Sequence, residues 1–200
     1  MNRTFRSALT AALLVGTAIS SNAFAQPKEP VKIKPALVVI DIQNEYLPRM
    51  DERDSKGAME MINWTIGVFR EMGLPIIRVY HTDPSWGPKP GTEAFEFPST
   101  VNITKDDPQV IKNYPDAFKK TNLEKILKEK GVNTLFLCGL SSVGCVLATY
   151  HGAADLDYSV FMVKDAIMCH KAEYTDMIED ICNTVGYAAL QAILQGVEKK

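Results

Sequence analysis

The sequence predicts an α/β fold, a three-layer α/β/α sandwich around a mostly parallel sheet of five to six strands. Three observations predict it. Short unbroken apolar runs such as "ALVVI" (36–40) read as strands buried on both faces, as in a parallel sheet covered by helices. Between those runs lie segments with apolar residues every three or four positions, which read as helices. The two patterns alternate along the chain, and alternation of this kind builds parallel pairing through crossovers.

"ALVVI" opens the first strand and Asp41 ends it. Residues 55–72, "SKGAMEMINWTIGVFREM", set Met59, Ile62, Ile66 and Phe69 at helical spacing, and Gly73 closes that helix. "PIIRVYHT" (75–82) is a second strand. Residues 83–108 hold five prolines and two glycines with little periodicity, so they read as a long ordered loop, and loops of that length are usually functional. "QVIKNY" is a short third strand carrying Lys112, and "NLEKILKEKG" is a helix stopped by Gly131. "NTLFLCGL" is a fourth strand, "VGCVLATYHGAADL" a helix and "YSVFMVKDA" a fifth strand. "EYTDMIEDICNTVGYAALQAIL" (173–194) reads as one long terminal helix. In such sheets the site lies at the carboxyl ends of the strands. Asp41 and the turn at 139–145 fall at such ends, and Lys112 sits near one.

The first 25 residues read as a cleavable signal peptide. Arg3 and Arg6 form a positive start, "ALTAALLVGTAIS" is an apolar stretch, and Ala23–Phe24–Ala25 is an A-x-A cleavage motif before Gln26. A Pro-rich linker (26–35) then leads into one domain, 36–200. A periplasmic or secreted protein is expected, with no membrane contact once the leader is removed. The formal charge is −2, and removing the leader leaves 20 Lys and Arg against 24 Asp and Glu. No basic patch stands out, so no nucleic-acid partner is expected. Four cysteines in an oxidising compartment leave a Cys138–Cys169 or Cys169–Cys182 bridge open; otherwise each reads as a small apolar core residue.

The turn "GLSSVGCVLAT" (139–149) carries three candidate nucleophiles. A serine elbow needs G-x-S-x-G, and the last glycine is missing here. Ser142 therefore reads as a turn or N-cap hydroxyl. Cys145 falls in the first turn of the predicted helix, where the helix dipole and free amides favour a thiolate and can receive an oxyanion. Asp41 is a candidate base for the thiol proton. Lys112 is a candidate cation that lowers the Cys145 pKa.

"ALVVIDIQNEYL", "VIKNYPDAF" and "FLCGLSSVGCVLAT…SVFMVKDA" together resemble the isochorismatase-like cysteine hydrolases, in order, from about Pro35 to Asp165. The resemblance implies Asp41 as base, Lys112 as supporting cation and Cys145 as nucleophile. It also implies a cis Leu140–Ser141 peptide and an oxyanion hole from the backbone amides of Ser141 and Cys145. Ser142 stands where the family usually has Thr, Gly144 replaces a commonly larger residue, and Asp157 stands where Gly is usual. Nicotinamidase-like members bind a divalent metal through an Asp and two His. Here the loop after the second strand supplies only His81 and Asp83, so neither metal nor any other cofactor is expected. His81 is then a pocket wall or a residue supporting the site, or equally a satisfied strand-end His, and Tyr46, Trp86, Tyr114 and Leu140 are further pocket candidates. "SWGPKPGTEAFEF" reads as a lid, whose Trp86, Phe95 and Phe97 either touch substrate or, the favoured reading, anchor the loop.

The activity implied is metal-independent cleavage of a C–N bond in a small molecule through a Cys145 thioester. Two alternatives stand beside it: vinyl-ether hydrolysis of the isochorismatase type, and a periplasmic binding or redox module with paired thiols. The resemblance further implies a homo-oligomer.

Overall fold

β1 (Pro35–Ile40) shows why the sheet is sandwiched. All six residues are buried: Leu37 and Val39 face one core, and Ala36, Val38 and Ile40 face the other. This is the computed structural model of the protein, and it describes residues 32–197. The predicted signal peptide and the linker up to residue 31 lie outside the described residues. The rest of that linker is tied down, since the Asn133 amide donates to the Lys32 carbonyl at 2.9 Å and the Asn133 N–H to the Lys34 carbonyl at 3.0 Å.

α1 (Glu52–Glu71) starts three residues earlier than its periodicity indicates, because Asp51 caps it by accepting from the Arg53 N–H at 2.9 Å. Its buried face is Ala58, Ile62, Thr65, Ile66 and Phe69. β2 (Ile76–His81), β3 (Gln109–Lys112), α2 (Leu123–Glu129), β4 (Thr134–Leu140), α3 (Leu147–Asp155) and β5 (Ser159–Met168) follow in the predicted order. Apolar residues of α1 and of the last helix build the core on one face. Those of α2, α3 and the helix after β5 build the other.

The predicted terminal helix is corrected. It is two helices, α4 (Ala172–Ile181) and α5 (Tyr187–Gln195), separated by a short strand, β6 (Thr184–Val185). Helical spacing continues across the break, but Thr184 and Val185 are β-branched and lie beside an open sheet edge. They pair with Met162 and Val163 of β5, and Cys182 is already extended. The sheet is therefore six-stranded.

The strand order is β3-β2-β1-β4-β5-β6, and every pairing is parallel. The chain winds outward from β1 to β3, then returns to β4 and winds the other way. This reversal puts a crevice between the carboxyl ends of β1 and β4. Gly139 closes the approach there, with φ +115°, and a Cβ at that position would collide with the Ile40 carbonyl. Among the described residues no helix is long and apolar enough to cross a membrane.

Candidate active site

Three strands deliver three side chains to that crevice. Asp41 follows β1 in a left-handed turn, φ 55°, which Asp tolerates better than most residues. Cys145 follows β4 in a tight helical turn, Ser142–Val146, that precedes α3. Lys112 ends β3, two strand spacings from β1, roughly 10 Å away, and a lysine stem is long enough to span much of that gap. The structure brings the three together. Lys112 Nζ donates to Asp41 Oδ2 at 2.7 Å and to Cys145 Sγ at 3.1 Å.

The third ammonium proton points at His81 Nδ1, 3.0 Å away. Because an ammonium can only donate, Nδ1 accepts and the ring proton lies on Nε2. Burial, and then the Lys112 charge, lower the His81 pKa, so His81 is neutral. All three protons of Lys112 are thus committed, and its side chain is wholly buried with the Asp41 carboxylate as counter-charge.

The thiol departs from the sequence expectation. Its pKa is pushed up to about 12, first by burial and then by the Asp41 charge, with Lys112 opposing. The helix-dipole argument also weakens, because α3 starts only at Leu147 and Cys145 lies before its first turn. The resting group is the neutral thiol beside a carboxylate. The Leu140–Ser141 peptide is cis. The Ser141 carbonyl accepts from the Gly144 and Val146 N–H groups at 2.9 and 3.2 Å, which shapes the turn. Ser142 is not an N-cap: its hydroxyl lies 3.3 Å from that of Thr175 in α4, tying the turn to that helix. All four cysteines are free, which removes the bridges left open by the sequence.

Asp41, His81 and Cys145 each offer a donor atom within 4.8 Å of the others, a spacing that suits a metal ion. Lys112 Nζ, however, already lies 2.7, 3.0 and 3.1 Å from those three atoms. Its fixed positive charge takes their lone pairs and repels a dication, so the trio does not fit a metal.

A cavity of about 470 Å³ opens over the thiol. Tyr46, Met50, Trp86, Pro115 and Leu140 form its apolar wall, with Arg49, Asp83 and Asn113 as its polar rim. Tyr46, Trp86 and His81 pack as three mutually tilted rings, with centroids 5.8 to 6.5 Å apart. The lid aromatics divide. Phe95 and Phe97 are buried against Tyr80 at 4.9 and 4.5 Å and anchor the loop. Trp86 is 65% exposed and lines the cavity. Tyr114 does not join the cavity wall; its hydroxyl accepts from Lys120 at 3.1 Å, and Lys119 lies over its ring. Past Lys112 the chain leaves the sheet, so strand alternation no longer governs where Tyr114 points.

Sequence reasoning missed Gln43 as a site residue. Its side chain donates to the His81 carbonyl at 3.0 Å and accepts from the His81 N–H at 2.7 Å. That two-way clip fixes the end of β2 to the turn carrying Asp41. Gln43 is fully buried three residues beyond the end of β1.

Residues 35–187 match the family model described as the isochorismatase domain. The chain is 31% identical over 163 residues to the uncharacterized isochorismatase family protein YddQ of Bacillus subtilis, covering 79% of this chain and 90% of that one. It is 28% identical over 134 residues to the secreted isochorismatase effector Isc1 of Verticillium dahliae, covering 66% and 70%. The crystal structure of N-carbamoylsarcosine amidase from Thermoplasma acidophilum superposes with a TM-score of 0.67 at 27% identity, covering 77% and 95%. A parallel six-stranded α/β sandwich with a polar cluster at its switch point defines the class. The chain belongs to the isochorismatase family and is one of its hydrolases.

Proposed function

We propose that the protein is an exported, metal-independent cysteine hydrolase that cleaves a C–N bond of a small molecule. The observation that carries this reading is Lys112 Nζ held 2.7 Å from Asp41 and 3.1 Å from Cys145 beneath a cavity. The thiol rests protonated, so its attack needs a base, and Asp41 takes the proton as Sγ adds to the substrate carbonyl. Lys112 holds carboxylate and sulfur in register and offsets negative charge as it grows on sulfur. The backbone N–H groups of Ser141 and Cys145 receive the oxyanion. Collapse breaks the C–N bond, and the amine leaves with the proton from Asp41. A water deprotonated by Asp41 then opens the thioester and releases the acid, restoring the thiol.

Kinship to a protein named as an amidase supports the C–N assignment. Export is supported by the basic, apolar and A-x-A segments of residues 1–25 and by kinship to a secreted protein. The test is a screen of small amides, carbamates and ureides with wild type and Cys145→Ala in parallel. An acyl adduct on the Cys145 peptide, seen by mass spectrometry, is expected with a turned-over substrate. Full turnover by Cys145→Ala sinks the mechanism.

A further inference from the structure

We propose that the cavity takes an amide with an apolar, flat body that bears no carboxylate, and that Arg49 is not an anion anchor. This deepens the hydrolase reading and rests on it for the identity of the reacting bond. Arg49 is the one cation among the described residues that line the cavity. Its guanidinium is already paired with Glu45, lies 5.8 Å over the Tyr46 ring, and belongs to a side chain 59% exposed. An exposed, already paired guanidinium adds little attraction for a second anion. Lys112, below the floor, has no proton to give, since Asp41, His81 and Cys145 take all three. His81 is neutral and adds no positive charge.

Two carboxylates share the lining, Asp83 and Asp41, the second paired with Lys112 at 2.7 Å. Asp83 Oδ1 accepts from the N–H groups of Ser85 and Trp86 at 2.7 and 3.3 Å, which fixes the carboxylate beside Trp86 in the cavity lining. A ligand carboxylate would lose water without gaining a free cation, and would face the Asp83 carboxylate, Asp41 being neutralised by Lys112. The walls offer the opposite. Trp86, Tyr46, Met50, Pro115 and Leu140 give faces for a flat apolar body, and about 470 Å³ suits a small molecule. This preference departs from what the relative named for N-carbamoylsarcosine leads one to expect, since that molecule is an amino-acid derivative carrying a carboxylate.

The experiment measures binding of benzamide and 4-carbamoylbenzoate to Cys145→Ala by calorimetry, with Cys145→Ser as a second non-turnover variant. Benzamide is expected to bind at least about tenfold more tightly, a gap of about 1.4 kcal/mol. Asp83→Asn is expected to narrow that gap, and Arg49→Gln to leave it within about twofold. Equal or tighter binding of 4-carbamoylbenzoate overturns the proposal, as does its selective weakening by Arg49→Gln. Failure of both ligands to bind overturns the assigned class of body. Because the readout is binding to a variant without the thiol, it stands apart from whether wild type hydrolyses an amide.

Discussion

Two cysteines flank the cis turn, and their surroundings act on them in opposite directions. Cys145 lies between an anion and a cation at the cavity floor, and burial drives its pKa up to about 12. Cys169, just past β5, is fully buried, with Sγ 3.3 Å from the Ser141 hydroxyl and 3.3 Å from His170 Nδ1. Burial also raises Cys169. Hydrogen bonds from Ser141, the Lys171 backbone, Ser142 and the His170 backbone nevertheless outweigh it and hold the thiol below its ordinary value. A carboxylate and an ammonium that neutralise each other leave burial in charge, whereas several uncharged donors do not cancel. The more acidic thiol is the one away from the cavity, and the one in the cavity needs a base.

The largest expected effect separates the two thiols by function. Cys145→Ala lowers kcat/KM on any identified substrate by on the order of 10⁴ or more, while Cys169→Ser keeps it within about tenfold. The reverse ranking would undo the contrast. Next, Asp41→Asn lowers kcat by about 10²–10⁴ and destabilises the fold by about 3 kcal/mol, because Lys112 is left buried without its counter-charge. Rate assays and urea midpoints check both parts. The same variant tests the cancellation argument: with the anion gone, Lys112 alone faces the thiol. Cys145 then alkylates faster with iodoacetamide at pH 7 than in wild type, where its rate climbs about tenfold per pH unit from 7 to 10. A fast wild-type Cys145 at pH 7 contradicts the raised pKa.

The smallest effect concerns His81. Its folded pKa lies below the unfolded value of 6.5, so the unfolded chain binds the extra proton. Stability from this group is complete above 6.5 and is lost as pH falls through the folded pKa. The drop in urea midpoint from pH 7 to pH 5.5 should therefore be smaller in His81→Asn than in wild type.

The sequence carried the site as far as topology does. Asp41, Lys112 and Cys145 were legible because each ends, or follows, an apolar run, and parallel sheets gather such ends. The Cys145 pKa was not legible, because it depends on how deeply the thiol is enclosed, and spacing says nothing about that. Gln43 was overlooked since its partner is backbone, which has no sequence signature. The terminal helix misled because Tyr187, Leu190 and Leu194 extend the periodicity of α4 across residues that pair with β5. Trp86 and Phe95, close together in one loop, could not be divided into cavity wall and anchor without knowing where Tyr80 lies.

The cavity walls come from separate stretches of backbone: Tyr46 to Met50, Asp83 to Trp86, and Asn113 to Pro115. Asp41, Leu140 and Ser141 come from the crowded meeting of β1 and β4, where Gly139 admits no side chain. This division of labour separates what is recognised from what holds the reacting groups. Substitutions in those three segments can remake what is recognised, one neighbourhood at a time, without touching the junction of the two central strands. A laboratory library aimed at new substrates has the same natural boundary: vary those segments and hold 139, 41, 112 and 145 constant.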